Sequence, residues 1–416
     1  MPSTTDGRPY KLPFFVLVLS AGTFLMGTTE FVIAGLLPEI ADDLNVSVSH
    51  AGLLITAFAT GMIVGAPVMA IATLRLPRRS TLILALAVFA LGHLVAALSS
   101  SFALVLVARV VTALATGTFW CVGALVATTA AGPAATSRAL GMLLGGLTVA
   151  NVAGVPLGAW LGQLSGWRGP FWVLAALSAA AAAVIGRYIP ADERREAPSV
   201  RAEFAALRDV RVWLILSSMT LLTGGVLATY TYISPLLTEQ AGLPNGAVPM
   251  VLTGYGLGAL LGTTVGGRLG DRRPLATLIT SAVTTTLVLL LLTILSPNPV
   301  AAVILVTLMG MTGFAATPVL GALALRFSCS APTLVSGLSG SAPNVGIAVG
   351  SWAAGIALTS PLAQAGPPLV GTVAVALTLL PLTALVLMRA TRSETPPPQP
   401  RAAADQTTGG GTQEIG

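Results

Sequence analysis

Twelve apolar stretches, each about as long as a bilayer is thick, constrain this chain's fold more than any motif does. They run over residues 13–37, 50–72, 80–99, 102–129, 137–161, 169–189, 211–236, 246–267, 274–295, 299–323, 332–359 and 367–389. A helix needs about 20 apolar residues to cross a hydrocarbon core about 30 Å thick. Inside that core every backbone N–H and C=O must find its partner within the chain, so stretches of this length fold as helices. Only 9% of the residues are charged, against about 25% in a soluble globular chain. The expected class is an all-α polytopic membrane protein. The first stretch is too long for a signal peptide, and Glu30 and Pro38 stand where a small-residue cleavage site would fall. It is therefore read as a retained span. Cys121 and Cys329 both lie in spans. They are expected as small buried hydrophobes, without a disulfide framework or a metal site.

Charge is ordered by topology. Arg8 and Lys11 precede the first span. Arg75, Arg78 and Arg79 follow the second, Arg138 the fourth, and Arg187, Arg194, Arg195, Arg201, Arg208 and Arg211 surround the connection after the sixth. Arg268, Arg272 and Arg273 follow the eighth, Arg326 the tenth, and Arg389, Arg392 and Arg401 the twelfth. Arg168 alone falls on the other side, and Arg109 lies inside the fourth span. By the positive-inside rule both termini are expected in the cytoplasm. The net charge of +6 is thus spread over many short loops and forms no single face, so no nucleic-acid partner is expected.

Residues 190–210 form the longest internal polar stretch and divide the spans six and six. The expected organisation is a half over 1–189, a linker over 190–210, a second half over 211–392, and a disordered tail over 393–416, which contains Pro396-Pro-Pro-Gln-Pro400 and Gly409-Gly-Gly411. The linker is either solvated chain or a short amphipathic surface helix around Glu203–Arg208. The halves echo each other. Gly35-Leu-Leu-Pro-Glu39 ends the first span and Pro235-Leu-Leu-Thr-Glu239 the seventh, and Arg clusters follow both the second and eighth spans. Two six-span repeats about an axis along the membrane normal describe the major facilitator architecture.

The likeness becomes specific in four places. Gly267-Arg-Leu-Gly-Asp-Arg272 resembles the cytoplasmic loop motif of the major facilitator superfamily, with Gly267, Asp271 and Arg272 matching. The first-half copy keeps only Arg75, Arg78 and Arg79. Leu104-Val-Leu-Val-Ala-Arg109 is similar to the family's intramembrane arginine motif, with Thr112 and Ala113 in place of its usual Gln and Gly. Span five carries Gly145, Gly154, Pro156, Gly158 and Gly162, and its Gly154-Val-Pro-Leu-Gly158 resembles the motif of drug and metabolite exporters. Gly27-Thr-Thr-Glu-Phe-Val-Ile-Ala-Gly-Leu-Leu-Pro38 looks most like bacterial chloramphenicol exporters within the twelve-span drug:proton antiporter branch. The resemblance covers roughly residues 12–390. It implies twelve helices in two pseudo-symmetric halves, a bacterial inner (cytoplasmic) membrane, and proton-coupled efflux of a small, mostly apolar compound such as chloramphenicol. Arabinose-type and purine exporters stand close behind, so a sugar or nucleoside-type metabolite is the alternative cargo.

Glu30 is the acid that this reading must explain, because every other acid falls in a loop, a tail or the edge of a span. A carboxylate inside a span is costly and marks function by default. At about 1.5 Å per residue, Glu30 lies about 24 Å from the arginine-rich side and Arg109 about 12 Å from the opposite side. The two are thus at comparable depth, and the architecture places both spans on the central cavity. Burial and a neighbouring cation act on such a carboxyl in opposite senses, so its protonation can be set to alternate with substrate binding. The competing reading is a static Glu–Arg pair that holds the bundle together. His93 is read as a packing histidine rather than a proton relay.

Cavity-facing aromatic and amide groups are expected to contact substrate: Phe24, Phe31, Phe119 and Trp120 in the first half, Tyr230, Tyr232 and Tyr255 in the second, and Asn151 and Asn344 for hydrogen bonds. Trp160, Trp167 and Trp172 read as an interfacial aromatic belt. No cofactor is expected beyond a proton gradient as energy source. The expected partners are substrate, protons and lipid, and the expected state is a monomer. Two other readings are weaker. Gly337-Leu-Ser-Gly340 matches the Gly-x-Ser-Gly of intramembrane serine proteases, but such chemistry needs a histidine in reach and both histidines lie in the other half. Uptake is opposed by the span-five pattern.

Overall fold

In a computed structural model of the chain, the described residues are 14–72, 76–131, 136–189, 209–327 and 332–393. Among them the only regular structure is helical. The first half contains α1 (Phe14–Phe31), α2 (Val48–Ala72), α3 (Arg78–Leu98), α4 (Phe102–Ala131), α5 (136–165) and α6 (Arg168–Tyr188). The second contains α7 (Val210–Thr231), α8 (Val248–Arg272), α9 (Pro274–Leu295), α10 (299–327), α11 (Pro332–Leu358) and α12 (366–393). Eleven are long and apolar enough to cross a membrane. The twelfth, α11, carries Pro343, Asn344 and several Ser and Gly residues that lower its hydropathy. Arg75, Cys329, the linker over 190–208 and the tail over 394–416 lie outside the described residues.

Local chemistry sets the helix ends. Pro at the first or second position opens α8, α9 and α10, where the missing N–H would have had no partner in any case. The Asp209 carboxylate accepts from Arg211 N–H at the start of α7, and Asn298 Oδ1 accepts from Val300 and Ala301 N–H at the start of α10. Inside α5, Pro156 has no N–H to donate and its ring displaces the turn before it. The helix widens there into a π segment, Ala150–Gly154, before continuing over Val155–Ser165.

Packing repeats between the halves. In the first, α1 lies on α5, α2 on α4 and α3 on α6. In the second, α7 lies on α11, α8 on α10 and α9 on α12. The contacts between halves, α2 with α11 and α5 with α8, exchange under the same two-fold relation. Glycine stripes make these approaches close. A Cβ on Gly154, Gly158 or Gly162 of α5 would lie 2.1, 2.6 and 2.4 Å from Thr28, Val32 and Leu36, so these glycines are where the end of α1 and the chain that follows it dock. Gly145, expected in that stripe, faces open space. The contact belongs to its neighbour Gly146, against Ser20 and Thr23. Gly267 makes only ordinary contact with Pro318.

One end of the bundle carries Arg78, Arg79, Arg187, Arg211, Arg268, Arg272, Arg273 and Arg326. At that end Arg79 donates to the Gly186 carbonyl, tying the start of α3 to the end of α6, and Arg78 donates to Thr129. Asp271 and Arg272 line an open basin of about 1050 Å³ with Arg211, Arg273 and Arg326. The opposite end carries a short helix that the sequence reading missed, Leu37–Asp43, closed by an ion pair between Asp43 and Arg168. Trp160 and Trp172 face outward there, as a belt would. Trp167 is instead buried and carries the Arg168 guanidinium over its ring.

The Asp43–Arg168 pair fixes a pH dependence. The hydrogen bond from Arg168 holds the Asp43 carboxyl below its ordinary value of 3.8. Its contribution to stability is complete above that value and is lost as pH falls through the lowered one. An exposed pair of this kind is worth only a few tenths of a kcal/mol. Asp43→Asn is expected to lower the melting temperature by less than about 1 °C at neutral pH. The difference should shrink in thermal scans taken toward pH 3.

Candidate functional site

Both first helices of the halves break at matching places. α1 ends at Phe31 and gives way to a 3-10 turn, Val32–Gly35. α7 ends at Thr231, with Tyr232 at φ −108° and ψ 27° before the short turn Ile233–Pro235. The repeat that aligns Gly35 with Pro235 also aligns Glu30 with Tyr230. At these breaks, α1, α2, α7 and α11 enclose a cavity of about 10 Å³, room for about one water. Glu30, Phe31, Phe58, Tyr230, Thr231 and Asn344 are among its walls, with Ala34, Ile55, Ala59, Leu227 and Ile347 completing them. Phe31 meets Tyr230 edge to face at 6.1 Å. A drug-sized molecule needs several hundred Å³, so it enters this site only after the halves move apart.

Four of the expected substrate contacts line the cavity or back it. Phe31, Tyr230 and Asn344 are in its wall. Tyr255 lies behind Tyr230, ring on ring at 4.5 Å, and its buried hydroxyl has no hydrogen-bond partner. Asn344 spends its amide nitrogen on the Gly340 carbonyl at 3.0 Å and leaves its buried Oδ1 without a donor.

The other expected contacts are elsewhere. Phe119 is fully buried in the first-half core against Gly22, and Trp120 packs on the same cluster. Phe24 packs against Gly154. The Asn151 backbone abuts Gly256 of α8, at the junction between halves. Tyr232 shares its one hydroxyl hydrogen between the Ser351 and Ser49 carbonyls, at 3.3 and 3.5 Å, and the hydroxyl sits between Gly52 and Gly355, one glycine from each half. It therefore braces the junction. In each case the helix break or the rotation of the helix decides which way the ring points, and residue type does not.

The junction is a further feature that single residues did not reveal. Ser49 donates to the Gly355 carbonyl at 2.7 Å, Thr56 and Ser351 share a hydrogen bond of 2.7 Å, and Gln163 donates to the Asn245 carbonyl at 2.6 Å. Tyr232 adds its hydroxyl to these hydrogen bonds between the halves. All lie toward the end away from the arginines.

Arg109 is 1% exposed. Its Nη1 donates to the Thr29 hydroxyl at 3.0 Å and the Thr29 carbonyl at 3.2 Å, its Nε donates to the Leu54 carbonyl at 3.4 Å, and its Cζ lies 4.2 Å over the Phe58 ring. Glu30 and Arg109 therefore do share a depth, but they form no direct ion pair. The guanidinium is held one residue short of the carboxyl, and its buried Nη2 has no partner. α4 contributes no wall to the cavity and reaches it only from beneath Phe58. His93 Nε2 lies 2.7 Å from the Thr29 hydroxyl and Nδ1 2.8 Å from the Phe89 carbonyl, with the ring packed between Phe89 and Phe171.

Comparison with known proteins agrees with this architecture. The family model of the Major Facilitator Superfamily matches residues 19–351 and, overlapping, 216–412. A chloramphenicol resistance protein of Streptomyces lividans is 39% identical over 376 residues, covering 89% of this chain and 95% of that protein. The inner membrane transport protein YdhP of Escherichia coli K12 is 33% identical over 370 residues, with the same coverage of 89% and 95%. Among solved structures, a bacterial homologue of the human lysosomal transporter Spinster, inward-facing and occupied, superposes with a TM-score of 0.72 at 15% identity, covering 93% of this chain and 98% of that one. The chain belongs to the Major Facilitator Superfamily, and it is a multi-pass membrane transporter.

Proposed function

We propose that the chain exports a small, mostly apolar compound, chloramphenicol or a related drug, in exchange for protons. The observation that carries this reading is the placing of Glu30: a carboxyl with no hydrogen bond or ion pair among the described residues, in the wall of a cavity between the halves, next in sequence to the threonine that binds a buried arginine. Such a group can carry a proton or yield to substrate as the site opens first to one side and then to the other. The chloramphenicol resistance relative supports the substrate class. The arginine-rich end is taken as cytoplasmic, in a bacterial inner membrane, with both termini on that side. On this assignment the hydrogen-bonded junction closes the outer side.

The test is export from proteoliposomes or from an efflux-deficient host. Energy-dependent efflux of chloramphenicol should collapse when the proton gradient is dissipated. Efflux that survives dissipation, or no drug extruded from a broad panel, contradicts the reading. Asn344 provides a finer check. Its unpartnered Oδ1 is placed to accept from a substrate hydroxyl or amide. Asn344→Leu should weaken drug binding by about 1 kcal/mol, roughly fivefold in Kd, while the variant still reaches the membrane. Equilibrium binding to purified protein measures it.

A further inference from the structure

A buried polar network lies outside the cavity and crosses three helices: Arg109 of α4, Thr29 of α1 and His93 of α3. Its donors and acceptors can be assigned. A carbonyl only accepts, so His93 Nδ1 carries the hydrogen that bonds Phe89 O. In the neutral ring Nε2 is then an acceptor, and the Thr29 hydroxyl donates to it. That leaves the hydroxyl lone pairs facing Arg109 Nη1, which donates to them. One orientation of one hydroxyl satisfies both neighbours. Thr28, the residue before, makes the ordinary choice for a helical threonine and donates to the carbonyl four residues back. Thr29 does not, because His93 takes its hydrogen.

We propose that Thr29 is a positioning residue for proton coupling: its hydroxyl, oriented by His93, parks the Arg109 guanidinium away from Glu30 and so sets the pH at which Glu30 exchanges its proton. This rests on the exporter reading above. The geometry leaves room for the alternative partner. Arg109 Nη2 is buried without an acceptor, and Glu30 has no hydrogen-bond partner, so a guanidinium released from Thr29 has an anion beside it to take. Glu30 on α1, His93 on α3 and Arg109 itself are the titratable groups facing this network among the described residues. From α2 the Leu54 carbonyl and Phe58 meet it, and from α6 Phe171 does.

The test compares Thr29→Val, which keeps the shape and removes the hydroxyl, with Thr29→Ser, which keeps the hydroxyl. In purified protein the infrared band of the protonated Glu30 carboxyl, assigned by its loss in Glu30→Gln, is followed against pH. In Thr29→Val the band should disappear about one pH unit lower than in the wild type, a tenfold change in proton affinity. Thr29→Ser should titrate as the wild type does. The pH profile of chloramphenicol efflux should move in parallel. His93→Leu removes the acceptor that orients the hydroxyl and should shift the band the same way by a smaller amount, so it asks the same question should Thr29→Val fail to fold. Loss of yield or rate with an unmoved band would mean that Thr29 only packs, and would overturn the proposal. The band needs no transport to be read. Absent proton-dependent efflux in the wild type would therefore overturn the exporter reading and leave this result standing on its own.

Discussion

Glu30→Gln should abolish concentrative efflux of chloramphenicol while the protein remains folded in the membrane. The substitution keeps the shape of the side chain in the wall formed with Phe31, Tyr230 and Asn344, and removes only the titrating oxygen. Glu30 makes no hydrogen bond or ion pair whose loss would strand a buried partner. The usual cost of about 3–5 kcal/mol for breaking a buried pair is therefore not expected. Binding and downhill exchange should survive, because an amide mimics the protonated acid. Uphill transport should not, because a neutral group that cannot release a proton offers the gradient nothing to act on. Substrate counterflow and gradient-driven efflux, measured side by side in proteoliposomes, separate the two. Equal loss of both would make Glu30 a binding or structural residue.

Gly256→Leu should trap the transporter with the junction open. A mere Cβ at Gly256 would lie 2.3 Å from the Asn151 carbonyl oxygen and 2.8 Å from the Val152 Cα, which are backbone atoms of the opposite half that cannot swing aside. The clash exists only while α5 and α8 are pressed together, so the substitution penalises that one conformation. A differential of about 3 kcal/mol would move a balanced equilibrium past 99%. The junction hydrogen bonds of Ser49, Thr56, Tyr232 and Gln163 would then be exposed to water together. A cysteine placed at Ser351, in a background lacking Cys121 and Cys329, reports this by its rate of labelling with a membrane-impermeant thiol reagent. Labelling should rise more than tenfold in Gly256→Leu, and net efflux should fall to near background. Unchanged labelling would show that the junction does not open as a unit.

The charged part of the site was readable from the sequence because hydrocarbon makes charge conspicuous. Glu30 and Arg109 stood out in apolar runs, and a fixed rise per residue placed them at comparable depth, where the structure bonds the Arg109 guanidinium to Thr29, the residue before Glu30. The apolar walls were not readable. Ile55, Phe58, Leu227 and Ile347 line the cavity, while Val64, Leu84 and Leu257 face outward, yet all sit in helices that are apolar on every side. Periodicity cannot orient such a helix. The expected aromatics divide between cavity and packing for a related reason. Tyr230 and Tyr232 are two residues apart, and the break after Thr231 sends one ring into the cavity and the other to the junction. His93 was read as a packing residue. Its bond to the Thr29 hydroxyl depends on which of two acceptors that hydroxyl chooses, a choice that the local sequence leaves open. The span-five glycines were legible as a stripe. Only the packing shows that Gly146 rather than Gly145 meets α1.

Proton release on drug binding tests the central claim most directly. Purified protein in weakly buffered detergent solution, equilibrated where Glu30 is protonated, is mixed with saturating chloramphenicol while a pH indicator is recorded. The wild type should release about one proton per molecule of drug bound, and Glu30→Gln should bind drug and release none. Drug binding without proton release in the wild type, or equal release from Glu30→Gln, would contradict the exchange of a proton for a drug at Glu30.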